Sequence, residues 1–343
     1  MTLLAIAAAL TAGLALSLVL TGLMRRYALQ AQLLDRPNER SSHTVPTPRG
    51  GGVAIVATFL LLVTVLAALG QIGTPLWAAL VASGLVVATL GFLDDRRPLP
   101  ARWRFAGHLL AAAWVLAWLG PIPPVPILGV AVDLGAAGVA LSALYLVWSI
   151  NLFNFMDGID GIASLEAIGV ACGGAFIWWL VQPGAPWPVA LLFAASVAGF
   201  LAWNFPPARI FMGDAGSGFL GLVVAVLALW SARENTHLFW AWFILGGCFM
   251  VDATTTLVRR VRRGERFNEA HRTHAYQYAS RRHGSHKVVT LSVVAINTLW
   301  LLPLAVAVAL HWLDGVAGVA IAFAPLVWLA FHYKAGDRAG QAT

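Results

Sequence analysis

The sequence has little charge and almost no cysteine. Only 11% of its 343 residues are charged while 59% are hydrophobic, and this balance excludes an ordinary soluble enzyme. The two cysteines, Cys172 and Cys248, both fall within apolar runs. Their positions predict neither a disulfide framework nor a thiolate metal site. Internal repeats and low-complexity linkers are also absent, so a single domain is expected over residues 1–343.

Long apolar segments occupy most of the chain. A helix needs about 20 apolar residues to cross a bilayer, and the runs here are too continuous for the alternating strands of a β-barrel. We therefore predict an all-α polytopic integral membrane protein. The eleven predicted transmembrane helices lie near residues 2–24, 52–70, 75–93, 105–120, 135–152, 161–181, 188–205, 216–231, 238–258, 288–309 and 315–332.

Basic residues indicate the orientation of these helices. With Met1 outside, one set of connections and the C-terminal tail contain 21 of the 22 lysines and arginines, and the opposite set contains only Arg233. The positive-inside rule makes the basic side cytoplasmic. The prediction is an N-terminus outside and a C-terminus in the cytoplasm. Topology also explains the net charge of +7, and because the basic residues are dispersed we expect no nucleic-acid partner.

The stretch NLFNFMDGIDG, which begins at Asn151, places polar groups beside an apolar helix. Asn151, Asn154 and Asp157 follow at i, i+3 and i+6, so each lies beside the next on a helical surface. A glycine after each aspartate can turn or end the helix, which would let Asp157 and Asp160 converge. Oxygen and amide groups of this kind suit Mg²⁺, phosphates and sugar hydroxyls.

Acidic residues lie at the ends of three predicted helices on the cytoplasmic side. Asp94 and Asp95 follow the third span, Asp157 and Asp160 follow the fifth, and Asp214 precedes the eighth. Together they suggest one cytoplasmic-facing site, where a divalent cation would relieve repulsion between neighbouring carboxylates. Each motif also has a structural alternative. Asp94 and Asp95 could end a helix and pair with Arg96 or Arg97, and Asp214 could cap the eighth helix.

Two other acids fall inside predicted spans. Asp252 lies in the ninth span about two turns from its cytoplasmic end, and Glu166 lies near the start of the sixth. Intramembrane acids are candidates for function. Because arginines follow closely, we expect Asp252 to pair with Arg259 or Arg260, and Glu166 to be paired in the same manner.

Basic loops supply candidates for binding anions. The loop that ends at Arg49 is followed by the glycine run 50–52, which leads into a predicted helix and suits an anion. The longest loop has two histidines at i and i+3 without a third ligand for zinc, so contact with phosphate is the preferred interpretation. The segment 281–286 is interpreted as a solvated basic loop. The candidate anion ligands are Arg49, Arg102, Arg104, His271, Arg272 and His274.

Five segments, in their order along the chain, resemble the motifs of the polyprenyl-phosphate N-acetylhexosamine-1-phosphate transferases. The matching segments are DRPNERSSHTVPTPRGGG from Asp35, the pair Asp94–Asp95, the stretch from Asn151, WNFPPARIFMGD from Trp203, and the loop HRTHAYQ from His271. The resemblance implies that undecaprenyl phosphate attacks the β-phosphate of a UDP-N-acetylhexosamine, giving undecaprenyl-diphospho-HexNAc and UMP. It further implies Mg²⁺, with Mn²⁺ as an alternative, and the cytoplasmic (inner) membrane of a bacterium.

The resemblance also implies roles for the candidate residues. Asp214 is the expected principal metal ligand, with Asp157 as a second ligand that also takes part in catalysis. Asp94 and Asp95 are expected at the lipid phosphate, in either direct attack or a covalent aspartyl route. The implied substrate-binding set is Asn151, Asn154, Asp160, Arg49, Arg102, Arg104, His271, Arg272 and His274.

The histidine loop bears on the sugar. HRTHAYQ departs from the consecutive histidines of the muramoyl-pentapeptide branch and is more similar to the O-antigen-initiating branch. The expected donor is therefore UDP-GlcNAc or a 6-deoxy relative such as UDP-FucNAc. Family members often have lysine after the aspartate pair, where this chain has Arg102 and Arg104, a change of contact geometry rather than charge.

The alternative from another class is an ion-coupled secondary transporter with an acidic site. Transporters place coupling charges near the middle of the bilayer, whereas the acids here cluster at one rim, so a transferase is preferred. The aspartate pattern of the CDP-alcohol phosphotransferases is absent. Partners expected for the transferase are the lipid bilayer, the two substrates and a second copy in a homodimer.

Overall fold

The computed structural model describes residues 2–37, 45–265 and 271–337. The strands in these ranges form two short hairpins, and a π-helical turn, Asn297–Leu301, lies between two of the helices. In chain order the elements are α1 (Leu3–Gln30), β1 (Leu34–Asp35), β2 (Thr47–Pro48), α2 (Gly52–Ala68), α3 (Thr74–Arg96), α4 (Ala101–Leu119), β3 (Val125–Ile127), β4 (Val130–Val132), α5 (Gly135–Met156), α6 (Ile162–Val181), α7 (Pro188–Asn204), α8 (Asp214–Glu234), α9 (His237–Leu245), α10 (Gly247–Arg262), α11 (Ala275–His283), α12 (His286–Ile296), α13 (Leu302–Ala309) and α14 (Gly315–His332).

The predicted all-α membrane class is confirmed. Each of the eleven predicted segments forms a helix or a pair of helices. In the described ranges, seven helices are long and apolar enough to cross a bilayer, or eight if the bent pair α9–α10 forms one span. Helices α2 and α7 have 17 residues each, fewer than the roughly 20 of an upright span. The count of eleven spans and their orientation stay predictions.

Helix α8 forms the centre of the bundle. In its apolar window 94% of the residues are buried, because α2, α3 and α5 all pack against it. Glycines permit these close approaches. A Cβ atom at Gly91 of α3 would overlap the backbone of Asp214, and one at Gly221 of α8 would overlap the carbonyl of Ser149 in α5. The end of α3 is thereby held against the first turn of α8, where the acidic residues lie.

The ninth predicted span, 238–258, is wrong as one continuous helix. The chain bends by 71° between α9 and α10, at Gly246. Glycine pairs are a common site of helix kinks. Beyond the bend the segment contains Asp252 and three consecutive threonines, which suit a lipid-facing helix poorly. Helix α10 packs instead against α5, α11 and α14.

The first hairpin holds the glycine run against the segment that precedes α8. The N–H of Gly51 donates to the carbonyl of Phe211 at 3.0 Å, and the N–H of Gly52 donates to that of Met212 at 2.9 Å. These bonds bring Arg49 beside the start of α8. Residues 38–44 of the first matching motif lie outside the described residues. The sequence predicted neither this hairpin nor α11.

Candidate active site

A cavity of about 770 Å³ lies between α3, α4, α5 and the first turns of α8, a volume typical of ligand sites. The loop before α11 completes its wall. Three helix junctions and the histidine loop, far apart in sequence, therefore meet at one place. The predicted residues that line the cavity are Asp94, Arg102, Arg104, Asn151, Asn154, Asp214, His271 and His274. The predicted residues outside its lining are Arg49, Asp95, Asp157, Asp160 and Arg272.

Asp94 and Arg104 face each other across the connection from α3 to α4. One carboxylate oxygen of Asp94 accepts the N–H of Leu99 at 2.6 Å, and the other accepts Nη1 of Arg104 at 2.7 Å. The same Nη1 lies 3.9 Å from the carboxylate of Asp214. Arg96 donates to the hydroxyl of Tyr27. Asp94 and Asp214 are thus joined by Arg104 of α4 and not by Arg96.

Asp95 is outside the cavity lining and caps α8. Its two oxygens accept the N–H groups of Asp214 at 3.1 Å and Ala215 at 3.3 Å, and Nη1 of Arg49 is 4.0 Å away. Only 8% of its side chain is exposed, against 38% for Asp214. A carboxylate at a helix N-terminus satisfies free N–H groups and interacts well with the helix dipole. The cap considered for Asp214 is therefore supplied by Asp95, and Asp214 is left facing the cavity.

We expect Asp95→Ala to lower the unfolding midpoint of the protein in detergent. The change removes the acceptor of two N–H groups at the start of α8 and costs about 1 kcal/mol or more. Asp133→Ala is the matched control, because Asp133 is exposed and accepts only one N–H, that of Gly135 at the start of α5. Equal midpoints for the two variants would contradict the capping role.

The two asparagines lie on the last turns of α5. Nδ2 of Asn154 donates to Oγ of Ser217 on α8 at 3.1 Å. Nδ2 of Asn151 donates to the carbonyl of Val147 at 2.7 Å and lies 3.4 Å from Nδ1 of His108 on α4. Both amides line the cavity, as their shared helical face predicts. Their carbonyl oxygens are the groups available to a substrate hydroxyl or base.

Asp157 lies just beyond the end of α5, beside the other acids. Its pKa is raised well above the usual value, chiefly by burial and then by the carboxylates of Asp214, Asp95 and Asp160. Accumulated negative charge of this kind fits a divalent cation. The described ranges contain no group of three or more His, Cys, Asp or Glu side chains that could hold a metal ion. The carboxylates of Asp157 and Asp214 would suit Mg²⁺, which usually takes one or two carboxylates and completes its shell with water and substrate phosphates.

Asp160 lies close enough to Asp157 to raise the pKa of that residue, but it is held by residues outside the cavity lining. Asp160 accepts the N–H of Ala208 at 3.0 Å, and Nδ1 of His286 lies 3.3 Å from its carboxylate. Its backbone carbonyl accepts Oγ1 of Thr290. These contacts tie the turn before α6 to the connection between α7 and α8 and to α12. Its predicted role in binding substrate stays a prediction.

The histidine loop reaches the cavity through two stacked rings. The centroids of His271 and His274 are 4.9 Å apart. The pKa of His271 is lowered to about 3, mainly by burial and then by the nearby His274 and Arg260, so this ring is neutral at physiological pH. It offers a hydrogen bond rather than a charge to a phosphate. Arg272, outside the cavity lining, uses its carbonyl to accept Nη2 of Arg281.

The expected pairings of the two intramembrane acids with arginine are wrong. Asp252 accepts the N–H groups of Ala275 at 3.0 Å and Tyr276 at 2.9 Å, and lies 3.2 Å from Nδ1 of His274. It therefore caps α11 and fixes the ring of His274. Glu166 is fully buried and accepts Nδ2 of Asn297. The arginines expected to pair with Asp252 bond elsewhere: Arg259 to Asp337 and Arg260 to Glu265.

The sequence did not predict two residues at this site, one that lines the cavity and one that contacts a lining residue. His108 lines it beside Asn151, and Ser217 holds the amide of Asn154. Both had a usable signal, because His108 follows Arg104 at i+4 and Ser217 follows Asp214 at i+3. Residues at these spacings share a helical face.

Comparison with known proteins identifies the family. A model described as glycosyl transferase family 4 matches residues 77–232. The decaprenyl-phosphate N-acetylglucosaminephosphotransferase of Mycolicibacterium smegmatis is 31% identical over 71% of this chain and 66% of its own. The chain belongs to glycosyl transferase family 4. The family predicted from the motifs, its transferase character and its multi-pass membrane character are confirmed.

Other members of the family differ in their sugar. "Probable undecaprenyl-phosphate N-acetylglucosaminyl 1-phosphate transferase" of Bacillus subtilis is 29% identical over 82% of this chain and 79% of its own. The phospho-N-acetylmuramoyl-pentapeptide-transferase of Moorella thermoacetica is 31% identical over 71% of this chain and 78% of its own. These relatives give no support to the transporter alternative.

Proposed function

We propose that the protein transfers HexNAc-1-phosphate from a UDP-N-acetylhexosamine to undecaprenyl phosphate, giving undecaprenyl-diphospho-HexNAc and UMP. The observation that carries this proposal is the meeting of Asp94, Arg104 and Asp214 with two asparagine amides and two histidines in one cavity. The family supports it, because relatives are named for transfer to polyprenyl phosphates. The reaction would begin O-antigen or a related surface polysaccharide at the cytoplasmic face of a bacterial inner membrane.

The bond changes define what the cavity must provide. A phosphate oxygen of the lipid attacks the β-phosphorus of the UDP-sugar, and the bond from that phosphorus to the bridging oxygen of the α-phosphate breaks. UMP leaves with the bridging oxygen. Both reactants are polyanions, so neutralisation of phosphate charge is the main requirement. Arg104 supplies one positive charge, held in place by Asp94 at 2.7 Å.

Mg²⁺ is the proposed cofactor, with Mn²⁺ as the proposed substitute. Asp214 and Asp157 would hold it, as the exposure of the first carboxylate and the raised pKa of the second support. When bound, the ion neutralises charge on the donor diphosphate. Asp94 is proposed to accept the proton of the lipid phosphate, while His271 and His274 contact the diphosphate. Asp95 is proposed to act by holding the first turn of α8 in place.

The proposed donor is UDP-GlcNAc, since two of the relatives are named for N-acetylglucosamine. A 6-deoxy donor such as UDP-FucNAc is the second candidate, supported by the form of the histidine loop. Asn151 and Asn154 are proposed to contact the nucleotide or the sugar hydroxyls. The amide of Asn151 lies beside His108, and we expect its contact with the UDP-sugar to differ between donors of different shape.

A panel of donors tests the proposal. Purified protein with Mg²⁺ and undecaprenyl phosphate is given UDP-GlcNAc, UDP-FucNAc or UDP-MurNAc-pentapeptide, and released UMP is measured. We expect UMP from one of the first two donors and none when the lipid is omitted. No UMP from any UDP-HexNAc would contradict the proposed reaction. UMP from the pentapeptide donor alone would contradict the assignment to the O-antigen-like branch.

A further inference from the structure

A second cavity of about 340 Å³ lies between α10, α11, α12 and α14. It has no lining residue in common with the active-site cavity. Its wall is mostly apolar, with Phe249 from α10, Val293 from α12 and Leu326 from α14. Helices α12 and α14 belong to segments long and apolar enough to cross a bilayer. An apolar space between such helices suits a hydrocarbon chain from the surrounding membrane.

Basic and aromatic side chains lie at one end of this second cavity. His283 and Tyr333 both line it, and Nε2 of His283 is 3.1 Å from the hydroxyl of Tyr333. Arg282 is exposed, and its Cζ lies 5.9 Å from the centroid of the Tyr333 ring. Its Nη1 lies 3.2 Å from Nε2 of His332. Among the described residues the guanidinium contacts a ring and an imidazole rather than a carboxylate, and its charge is available to an anion. In the predicted orientation this end faces the cytoplasm.

We propose that the second cavity binds an anionic phospholipid of the inner leaflet. One acyl chain lies between Val293 and Leu326, and the phosphate contacts Arg282 and His283. Charge complementarity selects this ligand, since basic residues at the cytoplasmic interface attract anionic headgroups. The polyprenyl phosphate substrate is a poorer match, because its phosphate must reach Asp94 and Asp214 in the other cavity.

The lipid would support the histidine loop through α11. Ala275, Tyr276 and Ala279 form one wall of the second cavity, and His274, directly before this helix, lines the active-site cavity. Asp252 belongs to the second cavity and also bonds to Nδ1 of His274. An acyl chain packed on α11 therefore restrains the helix that positions this ring. This consequence, higher turnover with lipid bound, rests on the proposed function; the binding does not.

Native mass spectrometry of delipidated protein tests the binding. Wild-type protein is expected to retain phosphatidylglycerol in preference to phosphatidylcholine. Val293→Trp fills the second cavity and is expected to abolish this retention, whereas Leu291→Trp, exposed on the same helix and outside the lining, preserves it. Arg282→Gln is expected to weaken phosphatidylglycerol binding about fivefold, and Arg26→Gln, an exposed arginine of α1, leaves it unchanged.

The two cysteines provide a test without substitution. Cys248 lines the second cavity and Cys172, on α6, does not. Phosphatidylglycerol is expected to slow labelling of Cys248 by N-ethylmaleimide while labelling of Cys172 is unchanged. Phosphatidylcholine and inorganic phosphate should give no protection. Equal protection by phosphatidylcholine, or protection by undecaprenyl phosphate alone, would overturn the proposed ligand.

The activity consequence has its own measurement. Phosphatidylglycerol added to delipidated wild-type protein is expected to raise UMP release, and Val293→Trp is expected not to respond. A full response in that variant would overturn the coupling through α11. Because binding and cysteine labelling are measured without substrates, their failure is distinguishable from failure of the proposed transferase reaction.

Discussion

Asp214→Asn is expected to abolish UMP release while the protein stays folded. Asparagine has the same shape as aspartate, but it removes the negative charge that faces the cavity 3.9 Å from Arg104. Loss of a charged ligand to the proposed metal should lower kcat by about 1000-fold. The backbone N–H of this residue, which Asp95 accepts at 3.1 Å, is not altered, so the cap of α8 is retained.

Steady-state UMP release and the unfolding midpoint in detergent are the two measurements for this variant. Asp133→Asn is the matched control, since it removes one carboxylate from an exposed position before α5, and we expect it to keep wild-type turnover. Full activity of Asp214→Asn would remove this residue from the metal site. A large fall in its unfolding midpoint would instead show a structural role.

Asp252→Ala is expected to lower turnover by about 100-fold although Asp252 does not line the active-site cavity. His274 loses the partner of Nδ1, and the N–H groups of Ala275 and Tyr276 lose their acceptor. A shift of about 1 Å in a substrate-contacting group is enough for a change of this size. Each orphaned buried donor also costs about 1–3 kcal/mol, so the unfolding midpoint should fall as well.

Two further variants separate positioning of the ring from general stability. Asp252→Asn keeps a side-chain oxygen that can accept an N–H of α11, and we expect it to lose less turnover than Asp252→Ala. Thr256→Val removes only the hydroxyl that donates to Asp252 at 3.1 Å and should leave turnover nearly unchanged. Wild-type turnover in Asp252→Ala would contradict the positioning of His274.

Hydropathy predicted the helices well and their continuity poorly. Apolar runs of bilayer length became helices because backbone polar groups must be satisfied internally in lipid. The same averaging concealed the bend at Gly246, since one glycine pair changes the mean hydropathy little and contains no information on direction. Helix α11 was also missed, because its nine residues (Ala275–His283) are mostly polar and its first turn is capped by Asp252, which is distant in sequence.

Motif spacing identified the right helix junctions but not the direction of each side chain. Asp94 and Asp95 are adjacent, yet one faces the cavity and the other caps α8, a division decided by the N–H groups of Asp214 and Ala215. The side chain of Asp160 is likewise held by distant partners, the N–H of Ala208 and the ring of His286. Hydrogen-bond partners more than 40 residues away leave no trace in local periodicity.

Transfer of the phosphate together with the sugar is the central claim, and donor labelled with ³²P in the β-phosphate tests it most directly. With undecaprenyl phosphate and Mg²⁺, the label is expected to move into butanol-extractable lipid, with unlabelled UMP released in equal amount. Label that appears in water-soluble UDP while the sugar alone enters the lipid would contradict the claim, because the reaction would then be a glycosyl transfer.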